Sequence, residues 1–404
     1  MKTLVVNVGS TSLKFRLFDM PDETVLAEGR IERVGGERSP VSLRVRGSTP
    51  HVGEVLCPDQ RAAIRTALQL LTESGEGVLS VVDELGAVGF KPVHAKGIAD
   101  TVLITDEVIA AMEEYVFLAP AHNPPYIEAF RIFQELAPTV PLVGVFEPAF
   151  HRTIPDYART YGIPWQWSEK YAIRRYGFHG ASHRYVAGHV PELIGRPAAE
   201  LRIISCHLGG SSSVCAINHG ASIDTSMGFS PQSGLPNATR NGDLDPFVAL
   251  YLMEKEGLGP RQIGEILATD GGLKGISGLS GDVRDLEEAA AKGNLRADLA
   301  LKVLAYETRK YVGAYFVALD GLDVLAFTGG IGENSAAVRE SICSGLGCLG
   351  VELDSASNRV QGGERVISTN RSSVAVVVVL ANEELVIARE TVRLLTEGSS
   401  GVPA

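Results

Sequence analysis

The sequence predicts a two-domain α/β protein with mixed sheets, because one arrangement of strands and turns occurs in both halves of the chain. Near the start, the turn N-V-G-S-T-S-L-K-F at 7–15 lies between two apolar strand patterns. The same order recurs at 203–217, in I-I-S-C-H-L-G-G-S-S-S-V-C-A-I. Helical patterns follow both segments. We therefore expect two related domains, with a ligand in the interdomain cleft.

The first domain begins with strands and continues with helices. Residues 25–56 alternate short apolar and polar stretches that glycine and proline interrupt, which is typical of antiparallel strands joined by turns. The next segment, Gln60 to Glu73, has apolar residues at helical spacing, namely Ile64, Leu68 and Leu71. The sequence therefore predicts a helix there.

The second domain repeats this order and ends in a buried strand. Its helical patterns cover 246–256 and 297–318, and the apolar run at 374–381 predicts a strand. A last helix is expected over 383–395, with Asn382 as its N-cap. The predicted domains are therefore 1–150 plus 382–404, and 151–381.

The composition excludes several classes of protein. With 45% apolar residues the chain can form a globular core. A net charge of -11 and scattered basic residues argue against nucleic acid or an anionic membrane as partner. No apolar run is long enough for a membrane span or a signal peptide. The five cysteines show no C-x-x-C spacing, which predicts a reduced, cytoplasmic protein.

The glycine-rich turns allow two interpretations. Each is compatible with an ordinary β-hairpin, but backbone N–H groups in such turns also form a concave surface suited to phosphate oxygens. Two turns that face each other could bind both ends of a polyphosphate. A third glycine-rich segment, F-T-G-G-I-G-E-N-S at 327–335, contains neither the dinucleotide fingerprint nor a P-loop lysine.

Five histidines stand out in the central part of the sequence. His179 and His183 have the H-x-x-x-H spacing of a pair of metal ligands, but no glutamate lies between them to serve a hydrolase. The other three are His122, His151 and His207. Structural histidines that hydrogen-bond inside the fold are the competing interpretation for each.

The segment 225–246 is rich in glycine, proline and asparagine and carries Arg240, Asp243 and Asp245. Loops of this length in a compact domain tend to be functional. A solvated loop is the alternative.

Seven motifs, in order over nearly the whole chain, resemble the acetate kinase family. They are N-x-G-S-x-S-x-K at 7–14, V-L-I-T-D-E-V at 102–108, R-R-Y-G-F-H-G-x-S-H at 174–183, S-I-D-T-S-M-G-F at 222–229, G-I-S-G-L-S at 275–280, G-I-G-E-N-S at 330–335 and N-E-E-L-V-I-A-R at 382–389. The resemblance implies the duplicated fold of sugar kinases, Hsp70 and actin. It also implies a homodimer, ATP/ADP and Mg²⁺ as cofactors, and a small carboxylate as the substrate.

The resemblance also assigns roles to individual positions. The metal residues are Asn7 and Glu383. The catalytic residues are Lys91, Glu147, His179, Arg240 and His122, of which His179 and Arg240, with His122 nearby, would stabilise the transferred phosphoryl group. The acyl pocket falls on Val93, Ala121, Phe178 and Pro231. Phosphate and nucleotide contacts fall on Ser10, Ser12, Lys14, His207, Gly209, Gly210, Ser211, Asp282, Val283, Arg284, Gly330, Ile331, Gly332, Glu333 and Asn334. The first domain would thus hold the carboxylate and the second the nucleotide.

General chemistry agrees with these roles. A carboxylate with a pKa of ~4 to 5 is ionised at neutral pH, so it needs no general base to attack the γ-phosphorus. The site needs Mg²⁺ and cations that neutralise the phosphoryl group. Three of the residues also have simpler explanations: Glu383 as a helix-dipole partner, Lys14 as a solvated strand residue and Asp282 as a turn former.

The chain departs from the family pattern near the reacting groups. Lys91 replaces a carboxylate-binding arginine, Glu147 replaces an aspartate, Gly210 replaces an asparagine, and Ala121 replaces a leucine. The loop before Arg240 also differs. These changes predict a substrate other than acetate, or weak activity on acetate. Two alternatives remain: a kinase for a hydroxyl substrate with Glu147 as base, and a non-catalytic nucleotide-binding homologue.

Overall fold

The computed structural model describes residues 1–73, 78–120 and 122–397. The chain divides into two compact units. Unit 1 combines Met1–Ala149 with the C-terminal segment that starts at Asn382, and unit 2 is Phe150–Ala381. In the part of the chain that is described, no helix has the length and apolar character needed to cross a membrane.

Unit 1 is built on one mixed sheet of eight strands in the order β5-β4-β3-β2-β1-β6-β8-β7. The strands β1 to β5 form consecutive antiparallel pairs. The strands β1, β6 and β8 run parallel, and β7 pairs antiparallel with β8. The elements are β1 Lys2–Gly9, β2 Ser12–Asp19, β3 Thr24–Glu32, β4 Ser39–Val45, β5 His51–Val55, α1 Gln60–Glu73, β6 Ala87–Phe90, β7 Thr101–Leu103, α2 Asp106–Glu114, α3 Asn123–Leu136, β8 Leu142–Val145 and α15 Glu383–Glu397.

The alternation of side chains along β1 gives this sheet a different apolar layer on each face. Leu4 and Val6 belong to the core that the sheet forms with the apolar faces of α1 and α3. Val5 belongs to a second core, in which Ile387 and Ala388 of α15 take part. The C-terminal helix is therefore an integral part of unit 1.

Unit 2 contains a mixed sheet of six strands in the order β11-β10-β9-β12-β14-β13. Its elements are α4 Asp156–Arg159, α5 Trp165–Tyr171, α6 Gly180–Ile194, β9 Arg202–His207, β10 Ser213–Asn218, β11 Ala221–Thr225, α7 Pro246–Glu256, α8 Pro260–Thr269, α9 Gly272–Ser277, α10 Val283–Ala291, α11 Leu295–Ala318, β12 Val324–Thr328, α12 Gly329–Asn334, α13 Ala336–Cys343, α14 Ser355–Arg359, β13 Arg365–Val366 and β14 Ala375–Val378. Short 3-10 segments occur at Val82–Glu84, Glu147–Thr153, Ala198–Glu200 and Gly347–Leu349.

The two sheets share one topology. The order β3-β2-β1-β6-β8-β7 of unit 1 corresponds strand by strand to β11-β10-β9-β12-β14-β13 of unit 2. The corresponding pairs are also parallel or antiparallel in the same way. The predicted α/β fold with duplicated mixed sheets is thus confirmed.

Most predicted elements have the expected bounds, and the differences have local causes. The helix expected from residue 297 begins at Leu295, because the Asn294 carboxamide oxygen accepts the N–H groups of Arg296 (3.0 Å) and Ala297 (3.1 Å). The strand expected over 374–381 is shorter, Ala375–Val378. The last helix continues to Glu397, and Asn382 accepts the N–H of Leu385 at 3.4 Å, as a cap would.

A buried arginine supports the glycine-rich segment of unit 2. Arg339 of α13 is 1% exposed, and burial lowers its pKa to about 10. Its guanidinium donates to the carbonyls of Gly332 (2.8 Å), Glu333 (3.0 Å) and Asn358 (2.6 Å), and to the Asn358 side chain (2.8 Å). These four bonds tie the end of α12 to α13 and α14.

We expect Arg339→Met to lower the free energy of unfolding of unit 2 by about 3 kcal/mol or more, because several buried carbonyls lose their donor. Urea unfolding followed by circular dichroism measures the change. Arg371→Met removes a surface ion pair with Glu352 in the same unit and should change stability by less than about 1 kcal/mol. Equal effects of the two substitutions would contradict the supporting role of Arg339.

Candidate functional site

The first glycine-rich turn joins β1 to β2 in unit 1, and its conformation is fixed from outside the hairpin. Gln60, the first residue of α1, is 5% exposed and donates from its carboxamide to the carbonyl of Gly9 at 2.7 Å. A Cβ at Gly9 would lie 2.7 Å from the Ser12 hydroxyl, so a side chain there would displace this hydroxyl. Ser10 and Ser12 flank the turn, and Asn7 and Lys14 face each other on the paired strands.

The Asn7 side chain is held by a residue that the sequence patterns do not reveal. The hydroxyl of Tyr126, in α3, donates to the Asn7 carboxamide oxygen at 3.1 Å. Tyr126 is 2% exposed, and burial raises its pKa well above the usual range. The phenol therefore stays protonated and keeps its donor role.

Three charged residues of unit 1 form a buried cluster. Lys91 follows β6, Glu147 follows the neighbouring parallel strand β8, and Glu383 opens α15. The Lys91 ammonium lies 3.1 Å from a Glu147 carboxylate oxygen and also donates to Glu383. The three side chains are 16%, 7% and 19% exposed, respectively. The structure thus brings together three residues that are far apart in the sequence.

Opposing effects act on the pKa of Lys91. Burial alone would lower it, but the charges of Glu147 and Glu383 outweigh burial and hold the pKa well above its ordinary value. The amine is therefore a permanent cation. Two carboxylates against one ammonium leave an excess of one negative charge in the cluster.

The oxygen atoms of this part of unit 1 fit Mg²⁺. Carboxylates and a carboxamide oxygen are the hard ligands that Mg²⁺ prefers, and it is usually bound by one or two carboxylates together with phosphates. Glu383 and Asn7 supply such oxygens. Within the described ranges no group of three or more His, Cys, Asp or Glu side chains could hold a metal ion by itself.

The histidines of unit 2 form a hydrogen-bonded network with serines. The imidazole of His183 lies 2.9 Å from the Ser205 hydroxyl and 2.8 Å from the Ser213 hydroxyl, and Ser213 is also 2.8 Å from His179 Nδ1. His207 stacks on His179, with ring centroids 4.2 Å apart. Both ring nitrogens of His183 and the Nδ1 atom of His179 contact serine hydroxyls, which favours the structural interpretation of these histidines over a pair of metal ligands.

This network fixes the orientation of the His179 ring. His179 precedes α6 in a left-handed conformation, with φ of 57°. Burial lowers the pKa of His183 well below its usual value, so its ring is neutral and carries a single N–H. The Ser213 hydroxyl, which contacts both rings, therefore couples the tautomer of His179 to that of His183.

Arg240 is a largely buried cation that forms no ion pair within the described part of the chain. Burial lowers the pKa of Arg240 to about 10. Its guanidinium donates to the Ser211 hydroxyl, its Nε atom is buried without a hydrogen-bond partner, and none of the ion pairs among the described residues includes it. A buried guanidinium in this state is well suited to bind an anion.

The loop that carries Arg240 packs on the second glycine-rich turn. The Asn237 carboxamide oxygen accepts the backbone N–H of Ser212 at 2.6 Å, and the Ala238 N–H donates to the carbonyl of Gly210 at 3.0 Å. Asn237 is 1% exposed. The loop is therefore ordered structure rather than a solvated connection. Its Asn237 side chain holds the turn that contains Gly210.

A cavity of about 740 Å³ lies in unit 2. Eight residues that the resemblance assigns to the nucleotide line it: Gly209, Gly210, Asp282, Val283, Arg284, Gly330, Ile331 and Asn334. Four further lining residues have no counterpart in that assignment: Ala238, Gly281, Glu287 and Ser335. The Ser335 hydroxyl donates to Glu287, which joins α10 to the start of α13. The cavity is suited to a flat ligand that backbone can approach closely.

Several assigned residues have structural contacts of their own. Asp282 caps α10 and accepts from Arg284, which lowers the pKa of Asp282 to about 2. Glu333 accepts the backbone N–H groups of Gly329 and Ala381, both at 3.1 Å. Gly332 presents its carbonyl to Arg339. The side chains of Asp282 and Glu333 are therefore engaged within the protein.

The residues assigned to the acyl pocket fall in both units. Val93 lies in unit 1 and is 9% exposed, whereas Phe178 (2% exposed) and the buried Pro231 lie in unit 2. Ala121 lies outside the described residues. His122 is exposed and directly precedes α3.

Comparisons with known proteins agree on one family. A family model described as the acetokinase family matches residues 2–389. The chain is 50% identical to the acetate kinase of Dictyoglomus thermophilum, covering 98% of this chain and 99% of the relative. It is 47% identical to the acetate kinase of Carboxydothermus hydrogenoformans, with the same coverage.

Two solved structures have closely similar folds. The crystal structure of Porphyromonas gingivalis acetate kinase matches with a TM-score of 0.87 at 41% identity, covering 98% of this chain and 99% of that one. A propionate kinase from Francisella tularensis also matches with a TM-score of 0.87, at 34% identity and with coverage of 96% and 98%.

A further buried histidine of unit 2, His151, predicts a loss of stability in acid. It is 3% exposed, and its ring nitrogens lie 2.8 Å from the Ser222 hydroxyl and 3.0 Å from the carbonyl oxygen of Phe178. Burial lowers the pKa of His151 from 6.5 to about 4, so the unfolded chain binds more protons than the folded one between these values. Stability is therefore lost as the pH falls through this window. From about pH 7.5 to about pH 5 the contribution of His151 amounts to about 2 kcal/mol.

We expect His151→Asn to reduce the difference between urea unfolding free energies measured at the two pH values. His219→Asn is the control, because His219 is exposed in the same unit and should leave the difference unchanged. A wild-type protein equally stable at both pH values would contradict the prediction.

Proposed function

Because the chain belongs to the acetokinase family, we propose that it transfers the γ-phosphoryl group of ATP to the carboxyl group of a small acid and forms an acyl phosphate. One observation carries most weight: Arg240 is a largely buried cation that forms no ion pair among the described residues, and its Nε atom is buried without a hydrogen-bond partner. A site of this kind is suited to stabilise an anion. We assign ATP/ADP and Mg²⁺ as its cofactors.

The nucleophile in this reaction requires no activation by a base. The substrate carboxylate is ionised at neutral pH, so catalysis depends on orientation and on stabilisation of the phosphoryl charge. Mg²⁺, when bound, neutralises charge on the phosphates, and Asn7 and Glu383 would hold it. The hairpin residues Ser10, Ser12 and Lys14 would supply hydroxyls and a further cation.

Unit 2 would supply the remaining groups. Arg240 and His179 would donate hydrogen bonds to the phosphoryl oxygens, and the serine network holds the His179 ring in place. The cavity lined by residues such as Gly209, Asp282 and Gly330 would hold the nucleotide. Open space adjoins Gly210 and Gly330, because a Cβ at either position would meet no described atom within 4 Å. The nucleotide could therefore approach the backbone closely there.

We propose that the acid is one other than acetate, or that acetate reacts slowly. The Lys91 ammonium is shared between Glu147 and Glu383, so a substrate carboxylate meets a point charge that two acids already engage. An arginine would offer a fixed pair of donors, whereas a lysine does not define the orientation of the carboxylate. The contact of Glu147 with Lys91 also disfavours Glu147 as the base for a hydroxyl substrate.

The first test measures ADP release, with hydroxylamine trapping of acyl phosphate, on acetate, propionate, butyrate, glycolate and lactate. We expect trapped product with one acid at a rate clearly above that with acetate. Lys91→Arg should raise the activity on acetate relative to that acid, because the guanidinium restores two-point binding. Lys91→Met should reduce activity on all acids.

Other outcomes identify the competing functions. Full activity on acetate would refute the altered specificity but not the kinase activity. ADP release with sugars and without trapped product would indicate a hydroxyl acceptor. Tight ATP binding without turnover of any acceptor would indicate a non-catalytic homologue.

We also propose that two copies of the chain associate through α7. None of its eleven residues is buried, and three large apolar side chains are exposed: Phe247 by 72%, Leu250 by 56% and Tyr251 by 60%. An amphipathic helix normally buries its apolar side, so an uncovered apolar helix indicates an interface. A second copy of the chain is the partner that the family resemblance implies.

The double substitution Phe247→Glu and Leu250→Glu should convert the dimer to a monomer, as measured by light scattering after gel filtration. Burying two carboxylates without partners at an interface would be strongly unfavourable. Leu56→Glu is the control, because Leu56 is 69% exposed in unit 1. A dimer that survives the double substitution would place the interface elsewhere.

A further inference from the structure

One face of the sheet in unit 1 carries four basic side chains, of which the proposed function uses Lys14 alone. Cross-strand pairs place Asn7, Lys14, Arg30 and Ser42 side by side on β1 to β4. The neighbouring row contains Arg16, Glu28 and Arg44. We call Lys14, Arg16, Arg30 and Arg44 the basic face.

Lys14 and Arg30 are direct cross-strand partners, although both are cations. Like charges in this position destabilise a sheet. Within the described residues Lys14 makes neither a hydrogen bond nor an ion pair through its amine, and the contact of Arg30 with Glu32 is a solvent-exposed pair at 3.6 Å. The repulsion is therefore largely uncompensated by the protein.

The neighbouring row holds its arginines in fixed positions. Glu28 lies 3.1 Å from the Arg16 guanidinium and 3.2 Å from the Arg44 guanidinium, so one carboxylate orients two cations, and Arg16 also lies 3.9 Å from Glu384. Each guanidinium has five N–H donors, and a single carboxylate cannot use them all. Donors remain on both arginines for an anion in front of the sheet.

These side chains line a cavity of about 580 Å³. Among its lining residues are four cations, the basic face, and two carboxylates, Glu28 and Glu384. The local charge is thus positive by two, whereas the whole chain has a net charge of -11. Because the positive charge is confined to one concave site and the rest of the chain is acidic, the site favours a small anion over an extended polyanion.

We propose that the basic face binds a small phosphate-containing anion with at least two negative charges, such as pyrophosphate or a phosphorylated metabolite. Arginine forks bind phosphate oxygens in pairs, and an anion between Lys14 and Arg30 removes their mutual repulsion. Asn7 and Lys14 line the same cavity. If the proposed kinase function holds, the anion engages Lys14 and inhibits phosphoryl transfer.

Calorimetric titration of the full-length protein with pyrophosphate tests the site. Saturation with ADP in the absence of divalent metal keeps the probe out of the nucleotide cavity. We expect binding to the wild type, and binding weaker by at least about tenfold for the double variant Arg30→Gln, Arg44→Gln, because two cationic contacts are lost. Arg38→Gln is the matched control, since this exposed arginine pairs with Glu54 on the same sheet and does not line the cavity.

Three results would overturn the proposal. They are no binding to the wild type, equal binding to the double variant, and a short RNA that binds the basic face more tightly than pyrophosphate does. The double variant should also keep its basal kcat while it loses inhibition by pyrophosphate, because neither arginine belongs to the catalytic groups. Titration needs no turnover, so it decides the anion site even if the kinase proposal fails.

Discussion

The contact of the Lys91 ammonium with Glu147 and Glu383 is the constraint on which unit 1 depends. It joins the ends of two parallel strands to the first turn of the C-terminal helix, across 292 positions of the sequence. An ammonium buried to this extent requires opposite charge nearby, and two buried carboxylates require a cation. Each residue therefore needs the other two. The packing of α15 on Val5 and Val143 brings Glu383 into this arrangement, so the fold of the unit and its charged cluster depend on each other.

The common topology of the two sheets explains where the chemistry-bearing residues occur. Lys91 and Glu147 follow the central strands β6 and β8 of unit 1, and the glycine-rich segment starting at Gly329 follows β12, the strand of unit 2 that corresponds to β6. The carboxyl ends of parallel strands lie at one edge of a sheet, where backbone groups and side chains are free to meet a ligand. In each sheet a hairpin lies next to the corresponding strand: β1 and β2 lie next to β6, and β9 and β10 lie next to β12. The same topology thus places two carboxylates and a lysine after the parallel strands of unit 1, and glycines after the corresponding strand of unit 2.

The sequence predicts the elements of this fold well but only part of the candidate site. Hydrophobic spacing defines α1 and α7 with the bounds that the structure has, because local periodicity and caps determine helices. Sequence patterns do not identify Tyr126, Asn237 or Ser213 as site residues, because each acts through a hydrogen bond to a residue distant in the sequence. The like-charge pair of Lys14 and Arg30 is likewise invisible until the register of the strands is known.

Arg339 and Arg240 of unit 2 differ in their hydrogen-bond partners, and this difference distinguishes a structural arginine from one that could bind a ligand. Burial is the main cause that lowers the pKa of Arg339 and of Arg240 to about 10, so each guanidinium loses hydration in the folded protein. Arg339 regains hydrogen bonds from three carbonyls and a carboxamide, and these account for its presence in a core. Arg240 has the Ser211 hydroxyl as its side-chain partner, and its Nε atom has none. A folded protein retains an unfavourable group of this kind when a ligand supplies the missing interaction, and for a guanidinium that ligand is an anion. The surroundings of Arg240 therefore fit the anion-binding role that we propose for it.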